Sequence, residues 1–280
     1  MTPTIAITGS TGRLGGRVAG RLAAAGLAQT LLVRDPSRAP ALPGATVATG
    51  GFGDHDAVRG ALRGIDRVLM VSASETPDRI ALHRSFVDAA VDAGVEHLVY
   101  ISFFGAAPNA TFTLARDHWA TEEHVRASGL AFTFLRDNLY ADFTPGLVGA
   151  DGVIRGPAGE GRAAVVAQDD IADAATAVLT TAPDHAGATY DLTGPRSLTL
   201  AEIAAVLAEA EGRPVAYRPE TVDEAYRSRA SYGAPDWQVD AWVSTYTAIA
   251  AGELDGVGDA VEHLTGHPAT PLEAVVARTR

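Results

Sequence analysis

The sequence predicts an α/β fold built on a doubly wound parallel sheet, with a smaller C-terminal substrate-binding region. Three observations predict it. A short apolar run, Thr4-Ile5-Ala6-Ile7, leads straight into the glycine turn Thr8-Gly9-Ser10-Thr11-Gly12-Arg13-Leu14-Gly15-Gly16. A helix over residues 13–25 and a second strand, Thr30-Leu31-Leu32-Val33, follow at the spacing of a βαβ unit. Strand and helix signals then alternate through the first two-thirds of the chain, as expected of parallel strands with helices on both faces.

The remaining elements follow in order. Thr46-Val47-Ala48-Thr49 reads as a third strand and residues 54–62 as a short helix. Arg67-Val68-Leu69-Met70-Val71 is a buried fourth strand that ends at Ser72-Ala73-Ser74. Thr76-Pro77-Asp78 then predicts an N-cap with proline at the first helical position, and that helix runs to about Ala93 before Gly94. His97-Leu98-Val99-Tyr100-Ile101 is a fifth strand ending at Ser102. A helix over 115–128 stops at Gly129, and residues 130–135 form a sixth strand. Beyond Arg136 the pattern loosens. Residues 138–149 are mixed aromatic and polar, and a Gly/Pro-rich stretch extends to Gly161. Gln168-Asp169-Asp170 opens an alanine-rich helix, residues 188–192 read as a strand, and Thr199-Leu200-Ala201-Glu202 has capping-box spacing before a helix that ends near Gly212. The last part is rich in aromatic residues, among them Tyr226, Tyr232, Trp237, Trp242 and Tyr246. It is expected to pack over the carboxyl ends of the strands, where open α/β sheets bind ligands. Residues 1–135 therefore read as the dinucleotide-binding unit, which also receives residues 150–192. Residues 136–280 read mainly as the substrate-binding region.

Composition narrows the function. With 280 residues the chain can bury a large core, and a formal charge of −12 argues against nucleic acid as a partner. There is no cysteine, which excludes disulfides, thiolate chemistry and cysteine-held metals. His263 and His267 are four apart, but Gly266 and Pro268 break the helix they would need as ligands, so no metal is expected. No signal peptide and no apolar stretch long enough to span a membrane are visible, so a cytoplasmic protein is expected, and a homodimer is allowed. Every basic side chain apart from histidine is arginine; lysine is absent altogether. A tyrosine–lysine pair of the kind common in short-chain dehydrogenases, where lysine lowers the phenol pKa, therefore cannot be built.

The glycine turn lets backbone approach a pyrophosphate at a helix N-terminus, the Rossmann arrangement for a dinucleotide. Thr8, Gly9, Thr11, Gly12, Arg13, Leu14 and Gly15 are the expected contacts. The second strand ends in Arg34, where an NAD site usually carries an acidic residue. Arginine there accommodates a 2′-phosphate and points to NADPH, with NADH also admissible; a solvated pair with Asp35 is the competing reading. Phe52 is expected to line the adenine pocket, and Ser72, Ala73, Ser74 and Ser102 complete the predicted cofactor contacts.

These pieces together resemble the NmrA-like branch of the atypical short-chain dehydrogenases/reductases, and within it the bacterial type 2 NAD(P)H:quinone oxidoreductases and the triphenylmethane reductases. The resemblance covers essentially the whole chain. It rests on residues 7–16, Val33-Arg34-Asp35-Pro36, Gly53-Asp54, Val99-Tyr100-Ile101-Ser102, Thr121-Glu122 with Ser128-Gly129, and Leu264-Thr265-Gly266-His267-Pro268. Leu135-Arg136-Asp137-Asn138 matches a family Leu-Arg-Asn segment with Asp137 intervening, and Gly51 departs from an aspartate common in relatives. The resemblance implies NADPH as cofactor and catalysis without the tyrosine–lysine pair.

Without that pair, activated acceptors are favoured. Hydride addition to a quinone restores aromaticity and leaves only a modest base, whereas a simple ketone would leave a strongly basic alkoxide. The expected partner is thus a small aromatic or quinone-like acceptor. Ser102 either orients substrate or satisfies a strand-end backbone group. His118 stands on the helix that would have carried the missing pair and either donates a proton or forms an exposed i,i+4 pair with Glu122. Asn138 and Tyr140 are candidate contacts to nicotinamide or substrate, while Phe143, Tyr232 and Trp237 either stack on a flat acceptor or pack as core. The alternative function is a non-catalytic NADP(H)-binding redox sensor that acts through a protein partner.

Overall fold

A strand buried on both faces must be apolar along most of its length, and β1 (Ile5–Thr8) meets that condition: all four residues are buried. In the computed structural model, which describes residues 4–278, β1 is followed by α1 (Arg13–Ala24), β2 (Gln29–Val33), β3 (Ala45–Thr49) and α2 (His55–Ala61). Next come β4 (Arg67–Met70), α3 (Arg79–Ala93), β5 (His97–Phe103), α4 (Thr113–Ser128) and β6 (Ala131–Asp137). The chain continues through β7 (Val153–Gly156), β8 (Arg162–Ala163), α5 (Gln168–Thr181) and β9 (Ala188–Leu192). It closes with β10 (Leu198–Thr199), α6 (Leu200–Glu211), β11 (Ala216–Pro219), α7 (Val222–Arg229), α8 (Asp236–Ala250), α9 (Ala260–Thr265) and α10 (Leu272–Arg278).

Seven strands form one sheet in the order β3-β2-β1-β4-β5-β6-β9. β1 pairs in parallel with β2 on one side and β4 on the other, with Ile7 opposite Leu31 and Leu69. The chain therefore winds outward from β1 to β3, returns, and winds the other way from β4. The reversal leaves a crevice at the carboxyl ends of β1 and β4, where ligands bind in such sheets.

Two compact units divide the chain. The first holds the described residues through Ser102, with Asp117–Arg136 and Asp169–Tyr190; the second holds Phe103–Arg116, Asp137–Gln168 and the described residues from Asp191 onward. Residues 103–116 and 150–168 thus pack with the second unit. The first unit's core gathers Leu32, Val58, Met70, Phe86, Leu98, Tyr100 and Phe134. The second is centred on Phe103, Phe112, Ile154, Ile203, Leu207 and Ile249, and it carries the parallel pair β7–β11 and the antiparallel pair β8–β10. Among the described residues no helix is long and apolar enough to cross a membrane.

Several boundaries differ from expectation for physical reasons. α3 opens at Arg79, not after Thr76: the Arg79 N–H bonds the Thr76 carbonyl in a turn, and Asp78 occupies the N-cap without a side-chain bond. β5 runs through Ser102 to Phe103 and β6 through to Asp137. The capping box is as predicted, with Thr199 Oγ1 accepting the Glu202 N–H and the Glu202 carboxylate accepting the Thr199 N–H. The four strands of two to four residues in the second unit carried no periodic signal, because each is shorter than the window that periodicity needs.

Candidate functional site

The glycine turn has the shape a pyrophosphate needs. Gly9 lies at φ +67°, and a Cβ there would also meet Val71 Cβ at 3.1 Å. A Cβ on Gly15 would stand 2.5 Å from the Gly9 carbonyl, so only glycine lets α1 rest on the turn. α1 starts behind Gly12 with no side-chain cap and no acidic residue in its first turn, which leaves its terminal N–H groups for an anion. The Ser10 hydroxyl is buried in the same turn with no hydrogen-bond partner, a group that a phosphate oxygen would satisfy. Thr11, Gly12 and Arg13 are exposed, while the Leu14 side chain is core, so Leu14 can offer only its backbone. Thr8 does something else. Its hydroxyl donates to the Leu69 carbonyl at 3.0 Å and accepts the Val71 N–H at 2.8 Å, tying the end of β1 to the end of β4.

Arg34 is exposed just past β2, and its stem lies 3.7 Å from where a Cβ on Gly51 would be. The alternative pairing with Asp35 is not formed. The Asp35 carboxylate instead accepts the Ser37 N–H at 3.0 Å and the Ser37 hydroxyl at 2.7 Å, capping the turn at Pro36–Arg38. Those bonds hold its carboxyl below the usual carboxylate range. Phe52 stacks on Phe86 at 4.5 Å and stays half-buried. The segment after β4 is held by side chains: Ser72 Oγ donates to the Ile101 carbonyl at 2.9 Å, the Ala73 N–H donates to His83 Nε2, and Ser74 is exposed.

Beneath this crevice lies a buried polar network that corrects two sequence expectations. His118 is buried and not paired with Glu122; its Nε2 faces Arg79 Nη2 at 3.1 Å and its Nδ1 faces the Tyr100 hydroxyl at 3.0 Å. A guanidinium only donates, so Nε2 accepts and Nδ1 carries the single proton toward Tyr100. Burial, reinforced by Arg79, holds the His118 pKa well below its ordinary value. Burial likewise pushes the Tyr100 hydroxyl up to about 12. A neutral ring with both nitrogens engaged is poorly placed to protonate an acceptor. Ser102 is fully buried and satisfies no backbone group: its hydroxyl donates to Glu122 Oε1 at 2.6 Å. Glu122 also accepts from Arg136 Nε and Nη2, at 2.8 and 2.6 Å, and from Arg126 Nη2 at 3.1 Å.

In the second unit, Asn138 is buried, with Nδ2 donating to the Leu254 carbonyl and Oδ1 accepting the Leu139 N–H, so its amide organises the loop. Tyr140, Phe143 and Tyr232 meet at a cavity of about 590 Å³, together with Trp242, Tyr246, Leu139, Leu147 and Ile203. The volume suits a small-molecule ligand. Its two arginines are internally satisfied. Arg155 Nη2 bonds Asp151 at 2.6 Å, and Arg229 bonds Glu220 at 3.1 Å with its guanidinium carbon 5.1 Å from the Tyr246 ring centre. Trp237 does not line the cavity. Trp242, Thr245, Tyr246 and Ile249 follow i, i+3, i+4, i+7 spacing on α8, and Trp237 stands about 140° round the helix from Trp242. Sequence reasoning selects Trp237 and misses Trp242 and Tyr246 as lining residues; that helical spacing is the signal that could have found them.

A doubly wound sheet with a glycine turn and an uncapped helix N-terminus at its switch point defines a dinucleotide-binding class of protein. A family model described as NAD(P)H-binding matches residues 9–182. The chain is 34% identical to quinone oxidoreductase 2 of Escherichia coli (strain K12), over 98% of this chain and 97% of that protein. It is 33% identical to the NAD(P)H azoreductase of Xenophilus azovorans, over 95% and 94%. The crystal structure of an NADPH-dependent quinone oxidoreductase from Escherichia coli complexed with NADPH superposes with a TM-score of 0.90 at 32% identity, covering 98% of this chain and 99% of that one. That of the Citrobacter sp. triphenylmethane reductase complexed with NADP(H) gives 0.87 at 30%, covering 99% and 100%. The chain belongs to the NAD(P)H-binding family and is an NAD(P)H-dependent oxidoreductase.

Proposed function

We propose that the chain passes hydride from NADPH to quinones and similar flat conjugated electrophiles. The observation that carries this reading is the aromatic-walled cavity of about 590 Å³ whose arginines already have partners. Such a pocket rewards a flat, uncharged ring and offers no spare cation to an anionic group. The relatives named for quinones and azo compounds support the same acceptor class.

When bound, the nicotinamide supplies two electrons and a proton as hydride. The backbone of residues 9–15 and the Ser10 hydroxyl would hold the pyrophosphate, and Arg34 the 2′-phosphate that separates NADPH from NADH. Phe143, Tyr232 and Trp242 would flank the acceptor. Tyr140 keeps its hydroxyl on Asp137 at 2.7 Å, and its ring meets Phe143 edge-on at 5.2 Å. The chain has no lysine, so it cannot lower a tyrosine pKa by the usual pair. A reduced quinone oxygen is a weak enough base to take its proton from solvent, and the reaction needs no such acid. The cytoplasm, which supplies NADPH, is the compartment of this reading.

The test mixes purified protein with NADPH and a panel of quinones, an azo dye and a triarylmethane dye, following nicotinamide absorbance. Protein-dependent oxidation with the conjugated acceptors and none with simple ketones is expected. Tight NADPH binding without turnover on any acceptor would overturn the reading in favour of a redox sensor.

A further inference from the structure

β4 pairs with β5 from Arg67 opposite His97 to Met70 opposite Tyr100, and residues 71–74 beyond it lie outside the sheet. Backbone groups that leave a ladder need other partners. Ala73 finds both of its partners on the first two turns of α3. Its N–H donates to His83 Nε2 at 2.9 Å, and its carbonyl accepts from Arg79 Nε at 3.1 Å. Arg79 and His83 are four residues apart on one helical face, and both are buried.

The His83 tautomer is also set. Nε2 accepts a backbone N–H, so Nδ1 carries the proton and donates to Thr121 Oγ1 at 2.9 Å. Thr121 passes its own hydroxyl proton to the Asp117 carbonyl at 2.8 Å, which leaves its lone pairs facing His83. Burial in the first place, and Arg79 in the second, lower the His83 pKa to about 3, so the accepting form persists across ordinary conditions.

We infer that His83 and Arg79 are positioning residues that clamp Ala73 by both backbone groups and keep segment 72–74 in the shape that receives the cofactor. The inference rests on the reading that this segment borders the cofactor. Three adjacent features place it there: Gly9 of the pyrophosphate turn lies against Val71, Thr8 is bonded to the Val71 N–H, and both stand at the β1/β4 switch point. The clamp acts through Ala73; neither side chain is assigned a contact with NADPH.

The experiment measures NADPH affinity of the full chain by nicotinamide fluorescence, alongside thermal unfolding and kcat with a quinone, for four variants. Ser74→Trp tests the underlying reading, because an exposed side chain is enlarged in the segment itself. His83→Leu removes the acceptor from the Ala73 N–H and should weaken NADPH about tenfold or more, the scale of a buried amide left without a partner. His83→Gln restores an acceptor oxygen and should recover most of that affinity, with kcat near wild type in both. Thr121→Val frees Nδ1 and should weaken NADPH several-fold without touching the segment. If Ser74→Trp binds NADPH normally, the segment does not border the cofactor and the reading beneath the inference fails. If Ser74→Trp loses affinity while folded His83→Leu keeps it, or His83→Gln recovers nothing, the clamp itself is overturned. Should His83→Leu not fold, unchanged affinity in Thr121→Val overturns it.

Discussion

The Ser102 hydroxyl donates to the Glu122 carboxylate at 2.6 Å, and both residues are fully buried. Glu122 is the residue four after His118 on α4, the helix where a short-chain dehydrogenase would place its tyrosine and lysine. Here that helix turns a carboxylate inward, and Arg136 on β6 neutralises it through two hydrogen bonds. The Ser102 hydroxyl proton is committed to that carboxylate.

Replacing Ser102 by alanine should therefore cost stability more than turnover. A buried hydrogen bond to a charged group is worth about 1.5–3 kcal/mol. Denaturant unfolding should show a loss of that order, with kcat for a quinone within a few-fold of wild type. A stable variant with kcat reduced a hundredfold would restore Ser102 to the chemistry. Glu122→Leu should be worse, up to about 3–5 kcal/mol, because Arg136 would lose its counter-charge.

Arg34→Ala removes a guanidinium exposed beside Gly51, in which Asp35 takes no share. NADPH binding should weaken about 10–100-fold, the worth of charge-assisted bonds to a phosphate, and NADH binding should hardly change. Titrating both cofactors checks it, and equal losses would remove the 2′-phosphate role.

Trp242→Ala and Trp237→Ala form a matched pair. Trp242 lines the second unit's cavity and Trp237, half-buried on the same helix, does not. Trp242→Ala should raise KM for a quinone about tenfold or more, in line with aromatic stacking plus lost buried area, while Trp237→Ala leaves KM near wild type. The opposite ranking in steady-state kinetics would move the acceptor out of this cavity.

Stability should fall on mild acidification. His83 and His97 are held neutral by burial, with pKa values lowered to about 3 and about 4, and His118 is lowered as well. Below about 6.5 the unfolded chain takes up protons at these histidines and the folded chain does not, so stability present above that pH is lost as pH falls toward 4 to 3. Each histidine contributes a slope of up to about 1.4 kcal/mol per pH unit inside its window. Thermal midpoints measured from pH 7.5 to 5 should decline steadily, and a flat profile would contradict neutral burial.

Much of the first unit was legible in the sequence because its signals are local. A glycine turn between a β-branched run and a helix, Arg34 at the end of the next strand, and the alternation that follows all act within a few residues of one another. They determined the sheet, its glycine turn and the cofactor class. Partners across the chain were not legible. That Glu122 turns inward to Arg136, that His118 faces Arg79 and Tyr100, and that Asn138 holds the Leu254 carbonyl each depend on contacts 14 to 116 residues apart in sequence. Likewise β7 and β11 are single short strands until they meet each other. Local preference sets the backbone period and the turns, but the environment of a charged or hydrogen-bonding side chain is set by what folds against it. Only the tertiary structure could decide which of the candidate side chains support the site and which remain open to a ligand.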